Sequence, residues 1–426
     1  MPSAPNSTRR SSPTISLEGD PMTNPIRTIR SVVRFGRIET DPVERRLARA
    51  ASVADLRRVA KRRLPGGVFD YIDGAAEDER TLAANQEAFA RTTFRPRVLR
   101  GIGKVETSGR LLGVDVSYPL VLAPTGFTRI ADPEGELAVA RAAARAGLPY
   151  TLSTLSTRSI EEVRSVSEGR LWFQVYAWRD RGLVTEMVQR AAAASYEALV
   201  LTVDTAVLGR RERDVRRGFS LPPAIGPRTI VDGALHPSWT LAFVRGEPIR
   251  FANVVGHQVG DGASPVTLSE YINAQFDPAL SWDDIDWLRS VWQGPIVVKG
   301  IQTVDDAILA AERGVDAICL SNHGGRQLDG APAILPLVAP VVDAVEGRAE
   351  VICDGGVRRG GDIVKAVAAG ATAAMAGRAY LSALGAAGER GVDRLLDWVR
   401  HDIARTMSLL GVGSIDELDR TLVDLP

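Results

Sequence analysis

Eight short apolar runs, separated by amphipathic helical stretches, follow one another along the chain from about residue 119. An apolar run of this length is typical of a buried strand. Strand–helix units repeated in this way predict an α/β fold, a closed parallel (β/α)8 or TIM barrel. An open doubly wound sheet is the alternative, and the lack of a GxGxxG sequence after the first run disfavours it. The predicted strands are Pro119–Ala123, Pro149–Ser153, Leu171–Tyr176, Ala198–Val203, Pro295–Val298, Ala317–Leu320, Glu350–Cys353 and Ala371–Ala376.

Polar, titratable and glycine residues stand at the carboxyl end of every predicted strand. Because the strands of a parallel barrel all run the same way, these residues gather at one end of it, where barrel enzymes keep their active sites. The sequence therefore predicts a single active site that many strands share. Its candidate residues include Thr125, Ser153, Gln174, Thr202, Lys299, His323, Asp354 and Arg378.

The segment Ser321–Gln327, with the sequence SNHGGRQ, directly follows the sixth predicted strand. It places His323 and Arg326 on one glycine-rich turn. A histidine can accept a proton near neutral pH. An arginine can bind a planar carboxylate through two parallel hydrogen bonds. The pair therefore suits chemistry on a small organic acid.

Two loops have the composition of a phosphate site. Asp354–Gly361 follows the seventh predicted strand, and Gly377–Arg378 follows the eighth. Glycine amides and a helix N-terminus form an anion cradle, to which Arg358 adds charge. Glycine-rich loops also serve tight turns, but these two lie after the strands where such barrels bind phosphate. Lys299 would lie beside a ring that becomes negative on reduction; a buried ion-pair partner is the alternative.

The chain divides unevenly around the barrel. Residues 1–46 are rich in Ser, Pro, Thr and Arg and predict a disordered tail. Residues 47–426 predict one barrel domain, in which residues 47–100 form helices that cover its lower end and rim. About 90 residues separate the fourth and fifth predicted strands, far more than an ordinary barrel loop. This insertion, about residues 209–290, predicts an active-site lid or a surface that touches something outside the protein.

Composition narrows the function classes. The formal net charge is zero, which gives no electrostatic reason to expect nucleic-acid binding. No apolar stretch approaches the roughly 20 residues of a membrane span, and the start lacks the apolar region of a secretory signal. Cys319 and Cys353 each lie within an apolar run, which predicts two buried thiols. The four histidines have no cysteine partners at ligand spacing, so no metal site is expected.

Several motifs carry a resemblance to a known family. The chain resembles the FMN-dependent α-hydroxy-acid oxidising enzymes over about residues 52–408. Within that family it looks most like the L-lactate dehydrogenases that pass electrons to the respiratory chain. The resemblance implies that residues 47–426 are an FMN hydroxy acid dehydrogenase domain. The motifs are Phe69–Tyr71, Gly74–Glu79, Ala123–Gly126, Phe173–Tyr176, Leu201–Asp204, Val298–Gly300, Ser321–Gln327 and Asp354–Arg359.

The resemblance implies FMN as cofactor and a role for each matching residue. His323 would be the active-site base, and Asp204 would stabilise its protonated ring. Lys299 would stabilise the reduced flavin, and Tyr176 would join these residues in the catalytic set. The implied substrate-binding residues are Tyr71, Tyr176, Arg211, His323 and Arg326. The implied FMN-binding residues are Pro124, Thr125, Gly126, Ser153, Gln174, Thr202, Lys299, Ser321, Asp354, Gly355, Gly356, Val357, Arg358, Gly377 and Arg378.

Three of these residues have simpler alternatives. For Tyr71 the alternative is an aromatic residue of an amphipathic helix with no role in the site. Arg211, between Arg210 and Arg213, reads as part of a solvated charged face. Asp204 reads as a helix cap.

Two positions depart from the oxidase pattern. Leu155 lies where glycolate oxidases have a tryptophan, which predicts an aliphatic wall in the substrate pocket. Gly126 lies where many oxidases have alanine, and glycine there goes more often with dehydrogenases. The resemblance thus favours oxidation of an L-2-hydroxy acid, first of all L-lactate, with electrons passed to a quinone or another respiratory acceptor. The alternative is an oxidase that passes electrons to dioxygen and forms hydrogen peroxide.

The identity of the electron acceptor determines which partners the protein is expected to have and where in the cell it is expected to lie. A quinone lies in the membrane, so the patch Trp239–Val244 is expected to touch a bilayer, to pack between subunits or to pack on the barrel. We expect a cytoplasmic protein. If the patch touches a bilayer, we expect the protein to be peripheral at the inner face of the plasma membrane. The family implies a homo-oligomer, commonly a tetramer.

Two other function classes are a phosphate barrel with isomerase activity and a flavin-binding protein without turnover. His323, Asp204, Arg326 and Lys299 together disfavour both.

Overall fold

The computed structural model describes residues 39–218, 226–254 and 274–425. The predicted strands all form and close into a parallel barrel, so the predicted TIM barrel is confirmed. Neighbours in sequence are neighbours in the barrel, and the last strand pairs with the first. The strands are β1 (Leu120–Leu122), β2 (Tyr150–Ser153), β3 (Leu171–Val175), β4 (Ala198–Thr202), β5 (Ile296–Ile301), β6 (Ala317–Ser321), β7 (Glu350–Asp354) and β8 (Ala373–Ala376).

Helices surround the barrel, and most strands are followed by one. In chain order the helices of the described residues are α1 (Pro42–Leu47), α2 (Val53–Arg63), α3 (Gly66–Asp73), α4 (Arg80–Arg91), α5 (Gly135–Ala146), α6 (Ile160–Val166), α7 (Arg181–Ala193), α8 (Glu212–Arg217), α9 (Pro227–Leu235), α10 (Pro237–Arg245), α11 (Asp283–Val291), α12 (Val304–Glu312), α13 (Leu335–Val345), α14 (Gly360–Ala368) and α15 (Arg378–Leu410). A large core fills the space between barrel and helices.

The barrel interior is packed with side chains, as its alternating strand residues dictate. Trp172, Val200, Ile352 and Met375 are fully buried there. Cys319 belongs to the same cluster, and both cysteines are buried free thiols, as predicted. Because this interior is filled, the barrel can hold a ligand only at one of its ends.

The lower end of the barrel is closed differently from the prediction. A β-hairpin formed by Gly109–Leu111 and Val114–Val116 covers it. The backbone N–H of Leu112 donates to the carboxylate of Glu350, the first residue of β7, at 3.0 Å. Helices were expected to cover both ends, but α4 packs at the rim instead, against the turn His323–Gly325. The expectation was therefore right for the rim and wrong for the base.

Two predicted boundaries need correction. The chain divides into two compact units, Met1–Pro42 and Val43–Pro426. In the second, Glu44 pairs with Arg394 of α15 at 2.9 Å, so residues 43–46 do not belong to a disordered tail. The predicted insertion was also too long, because α11 is the ordinary barrel helix that precedes β5. Residues 1–38 of the predicted tail, and residues 219–225 and 255–273 of the insertion, lie outside the described residues.

Candidate active site

A cavity of about 500 Å³ opens at the carboxyl ends of the barrel strands. All of the predicted site residues line it except Asp204 and Ser321. Those two lie directly behind it and hydrogen-bond residues that do line it. The structure therefore brings the whole predicted set together at one place.

The turn that carries His323 has an unusual backbone. His323, Gly324 and Gly325 all have positive φ, of 56°, 62° and 76°. A Cβ on Gly324 would lie 2.4 Å from Nη1 of Arg378, and one on Gly325 would lie 2.7 Å from the backbone nitrogen of Leu82. Glycine is therefore required at both positions. His323 itself adopts a conformation that is uncommon for a residue with a side chain, which is frequent at functional sites.

His323 is oriented by Asp204, the residue that follows β4 by two positions. Asp204 Oδ1 lies 2.9 Å from Nδ1 of His323. Burial disfavours the ionised carboxylate, but the charge and hydrogen bond of His323 outweigh this, so the pKa of Asp204 lies below its ordinary value. An ionised Asp204 fixes Nδ1 as the donor and leaves Nε2 as the ring nitrogen that can accept a proton. Asp204 is thus a partner of the histidine and not a helix cap.

Two guanidinium groups and an aromatic ring form the adjacent wall. The Cζ atoms of Arg211 and Arg326 lie 5.1 and 5.2 Å from the centre of the Tyr71 ring. Nη1 of Arg326 donates to the carbonyl oxygens of Tyr71 and Gly74, at 2.8 and 3.0 Å. Burial and the positive charge of Arg211 lower the pKa of Arg326 to about 10. An anionic ligand would offset both effects, so this wall suits a carboxylate.

Arg211 and Tyr71 both line the cavity. Arg211 faces the cavity and forms an ion pair with Asp214 at 3.1 Å. It is not simply part of a solvated charged face. Tyr176 also lines the cavity, and its ring centre lies 5.1 Å from that of Phe276. Burial raises the pKa of Tyr176, so its hydroxyl stays protonated and can donate a hydrogen bond.

Lys299 sits in a buried polar triangle at the barrel mouth. Its Nζ lies 2.7 Å from Oδ2 of Asp354 and donates to Oγ of Ser321 at 2.8 Å. Ser321 Oγ in turn donates to Asp354 at 2.8 Å. Burial would lower the pKa of Lys299, but Asp354 more than compensates and raises it. Lys299 thus makes the buried ion pair of the alternative interpretation, and it also lines the cavity.

The loops after β7 and β8 both line the cavity, with the glycines and arginines from which the phosphate site was predicted. Gly355 and Gly356 have φ of 123° and 93°, and a Cβ on Gly356 would lie 2.6 Å from the carbonyl oxygen of Asn85. Arg378 donates to Gly324 and Gly74 carbonyl oxygens, at 2.8 and 2.7 Å. Its buried Nε has no partner among the described residues. Burial and Arg326 lower the pKa of Arg378 to about 9, so a phosphate here would stabilise the charge.

Gln174 offers a hydrogen-bond donor for the edge of a planar ring. Its Oε1 accepts hydrogen bonds from Ser153 Oγ and from the backbone N–H of Thr154, at 3.0 and 3.3 Å. Its Nε2 is buried and, within the part of the chain that the structure describes, has no acceptor. Such a donor requires an acceptor from a ligand. A phosphate cradle, a buried lysine and an unmatched amide donor in one cavity fit the phosphate and the polar ring edge of FMN.

Sequence reasoning missed several residues that shape this site. Asn85 of α4 and Asn322 bond each other through both amide groups, at 2.8 and 3.0 Å, and so tie the rim helix to the histidine turn. Leu208, Phe251 and Phe276 supply apolar walls to the cavity. No local pattern marks these positions, because their partners lie far away in sequence.

Comparisons with known proteins agree with this geometry. The profile of the family described as FMN-dependent dehydrogenase matches residues 60–425. A Mycobacterium tuberculosis protein provisionally named as an L-lactate dehydrogenase is 46% identical over 394 residues, which cover 92% of this chain and 94% of that protein. Glycolate oxidase 3 of Arabidopsis thaliana is 42% identical and covers 87% of this chain and 95% of its own length.

A solved structure shares the same architecture. The crystal structure of the monotopic membrane protein (S)-mandelate dehydrogenase superposes with a TM-score of 0.85 at 39% identity, covering 89% of this chain and 100% of that one. Fold and cavity together define a flavin-dependent barrel oxidoreductase that acts on 2-hydroxy acids. The chain belongs to the FMN-dependent dehydrogenase family, and its cofactor is FMN.

Proposed function

We propose that this enzyme oxidises L-lactate to pyruvate and passes the electrons to a membrane quinone. The supporting observation is that the His323–Asp204 pair faces the same cavity as the paired guanidinium groups of Arg211 and Arg326. A 2-hydroxy acid needs both features, an anion site for its carboxylate and a base near its hydroxyl-bearing carbon.

Each residue then has a distinct task. Arg326 and Arg211 bind and orient the substrate carboxylate. Tyr71 and Tyr176 donate hydrogen bonds to the substrate oxygens. Oxidation of a secondary alcohol to a ketone releases two electrons and two protons. Nε2 of His323 would take one of the protons, and bound FMN would accept the other together with the two electrons. The protonated ring is stabilised by Asp204, the ionised partner of its Nδ1.

Bound FMN supplies the acceptor for the two electrons. Gly355, Gly356, Arg358 and Arg378 would hold its phosphate, and the Gln174 amide, which has no acceptor among the described residues, would donate to its ring. Lys299 supplies a positive charge that favours negative charge on the ring. The remaining contacts to FMN would come from Pro124, Thr125, Gly126, Ser153, Thr202, Ser321, Asp354, Val357 and Gly377.

The choice of L-lactate is supported by the walls around the substrate. Leu155, Leu208, Val215 and Phe251 line the cavity and present apolar surface to the substrate side chain. The relative with 46% identity carries a lactate name. The test is anaerobic flavin reduction, followed by loss of the yellow colour, across glycolate, both lactate enantiomers, mandelate and longer 2-hydroxy acids. Faster reduction by glycolate or mandelate than by L-lactate would replace the proposed substrate.

The choice of a quinone over dioxygen as electron acceptor is supported by Gly126, which lies where many oxidases have alanine. Gly126 packs against Leu155, the other residue that departs from the oxidase pattern. A Cβ on Gly126 would lie 3.0 Å from Cβ of Leu155 and 3.2 Å from its carbonyl oxygen. An oxidase is the second candidate, because glycolate oxidase 3 is 42% identical. Turnover with L-lactate should be fast with a quinone analogue and slow with dioxygen. Rapid peroxide formation with poor reduction of the quinone analogue would favour the oxidase.

A quinone acceptor requires access to the bilayer, and the insertion provides a surface for it. The indole N–H of Trp239 donates to the carbonyl oxygen of Ile130 at 2.8 Å, so Trp239 anchors α10 to the barrel. Leu235 of α9 and Leu241 and Val244 of α10 are exposed. Among the described helices, none is both long enough and apolar enough to cross a bilayer. We propose that this apolar face of α9 and α10 rests on the inner surface of the plasma membrane.

A further inference from the structure

A cleft of about 480 Å³ lies beside the apolar face, away from the active site. We call it the arginine cleft. Six arginines line it, with a single acidic side chain, that of Asp55. The arginines are Arg45, Arg46, Arg49, Arg58, Arg62 and Arg63. The proposed reaction uses none of them.

Three of these arginines have no carboxylate partner among the residues that the structure describes. Arg58 pairs with Asp55, and Arg63 pairs with Asp132 at 3.0 Å. Arg45, Arg49 and Arg62 all line the cleft and are exposed, and no carboxylate of the described residues pairs with them. Like charges this close repel each other unless an anion lies between them. The cleft is therefore complementary to a negatively charged group.

The cleft and the apolar face are continuous. Ser238, in the first turn of α10, lines the cleft, while Leu241 and Val244 are exposed further along the same helix. Six residues of helix span about 9 Å, so a group in the cleft lies close to whatever covers the apolar face. The backbone N–H of Gly66 donates to Asp232 of α9 at 2.7 Å, which holds this pair of helices beside α2 and α3.

We propose that the arginine cleft binds the headgroup phosphate of an anionic phospholipid while the apolar face enters the bilayer interface. The inference rests on the proposed membrane contact and adds a lipid preference to it. Guanidinium groups bind phosphate oxygens in pairs, and clustered basic residues beside an amphipathic surface favour anionic leaflets. A soluble phosphate compound would explain the cleft but not the apolar residues next to it, so a lipid accounts for both.

The test is sedimentation of the complete FMN-loaded protein with vesicles of phosphatidylcholine alone or mixed with phosphatidylglycerol. The variant Arg45→Gln/Arg49→Gln/Arg62→Gln is compared with Arg91→Gln/Arg97→Gln/Arg400→Gln, which removes three exposed arginines outside the cleft. Each basic residue near an anionic surface contributes roughly fivefold to binding, so the cleft variant should bind mixed vesicles on the order of 100-fold more weakly. The control variant should change little. Both variants should keep their FMN and their turnover with a soluble dye.

The outcomes separate this inference from the membrane contact itself. Leu241→Ser/Val244→Ser should weaken binding to both kinds of vesicle, because it reduces the apolar face. Equal binding of the unaltered protein to neutral and mixed vesicles, or an unaffected cleft variant, would overturn the lipid preference and leave the membrane contact standing. No binding to either vesicle would overturn both. Dissociation of an oligomer by Leu241→Ser/Val244→Ser, without loss of vesicle binding, would assign the apolar face to subunit packing and overturn its proposed entry into the bilayer interface.

Discussion

Replacing Asp204 by asparagine should slow the chemical step without disturbing either binding site. Asparagine keeps the size of the side chain but removes its charge. In the structure the carboxylate is almost completely buried and its Oδ1 lies 2.9 Å from Nδ1 of His323. A neutral amide can still accept a hydrogen bond, but it cannot stabilise the protonated imidazole that forms when His323 takes the substrate proton.

The size of the effect follows from the strength of that contact. A hydrogen bond to a charged group is worth about 1.5–3 kcal/mol, roughly twice a neutral one. Losing most of this in the transition state predicts a roughly 10- to 100-fold slower reduction of the flavin, since about 1.4 kcal/mol is a factor of ten. The concentration of lactate that half-saturates the rate should stay nearly constant, because Arg326 and Arg211 are unchanged.

The assay is stopped-flow flavin reduction under anaerobic conditions, with bound FMN measured by its absorbance. Asp305→Asn is the matched control, because Asp305 is an exposed aspartate on α12 that does not line the cavity. It should leave the rate unchanged. An Asp204→Asn variant that binds FMN and reduces it at the unaltered rate would show that the carboxylate does not support the base.

Three further substitutions test other parts of the site. Arg326→Lys keeps the positive charge but loses the planar guanidinium with its paired N–H donors. Half-saturation by L-lactate should therefore require at least about tenfold more substrate in steady-state assays. An unchanged value would show that Arg326 does not bind the carboxylate. Gly126→Ala should lower the free energy of unfolding, measured in urea, by about 1–3 kcal/mol, because the new methyl group would press against Leu155. Adding Leu155→Ala should restore part of that loss. An unchanged free energy of unfolding would mean that Leu155 moves aside easily. Burial opposes ionisation of Asp73, but Arg57 and Arg213 lower its pKa below the ordinary 3.8, so its stabilisation is complete above about pH 4 and is lost as pH falls through the lowered pKa. Asp73→Asn should therefore destabilise the protein at pH 7 and flatten the acid limb of its stability curve, and an unchanged acid limb would contradict this.

The barrel could be predicted from the sequence because its strands are short, continuous apolar runs and each is buried on both faces. The ends of those runs also located the site, since parallel strands bring all of their carboxyl ends to one place. His323, Arg326 and the Asp354–Arg358 loop could be found in this way. Asp204, Tyr71 and Arg211 rested on the family resemblance, and their positions in the structure fit the expected roles.

The parts that escaped prediction depend on contacts between distant segments. The hairpin at the base was missed because its strands are only three residues each and carry little pattern. The Asn85–Asn322 pair joins residues that lie 237 positions apart. The arginine cleft has no local sequence signal, because its walls come from residues 45–63 and from Ser238 of α10, which lie far apart in the chain. The end of the insertion was misplaced because nothing in the sequence of α11 distinguishes the barrel helix before β5 from a helix of the insertion.

The most direct test of the proposed catalytic site is anaerobic titration of the yellow protein with L-lactate, beside its His323→Ala variant. We expect the unaltered protein to lose its yellow colour on mixing, and the variant to bind FMN equally well and remain yellow. A variant that bleaches as fast as the unaltered protein would show that His323 is not the base. An unaltered protein that no 2-hydroxy acid bleaches would contradict the proposed activity.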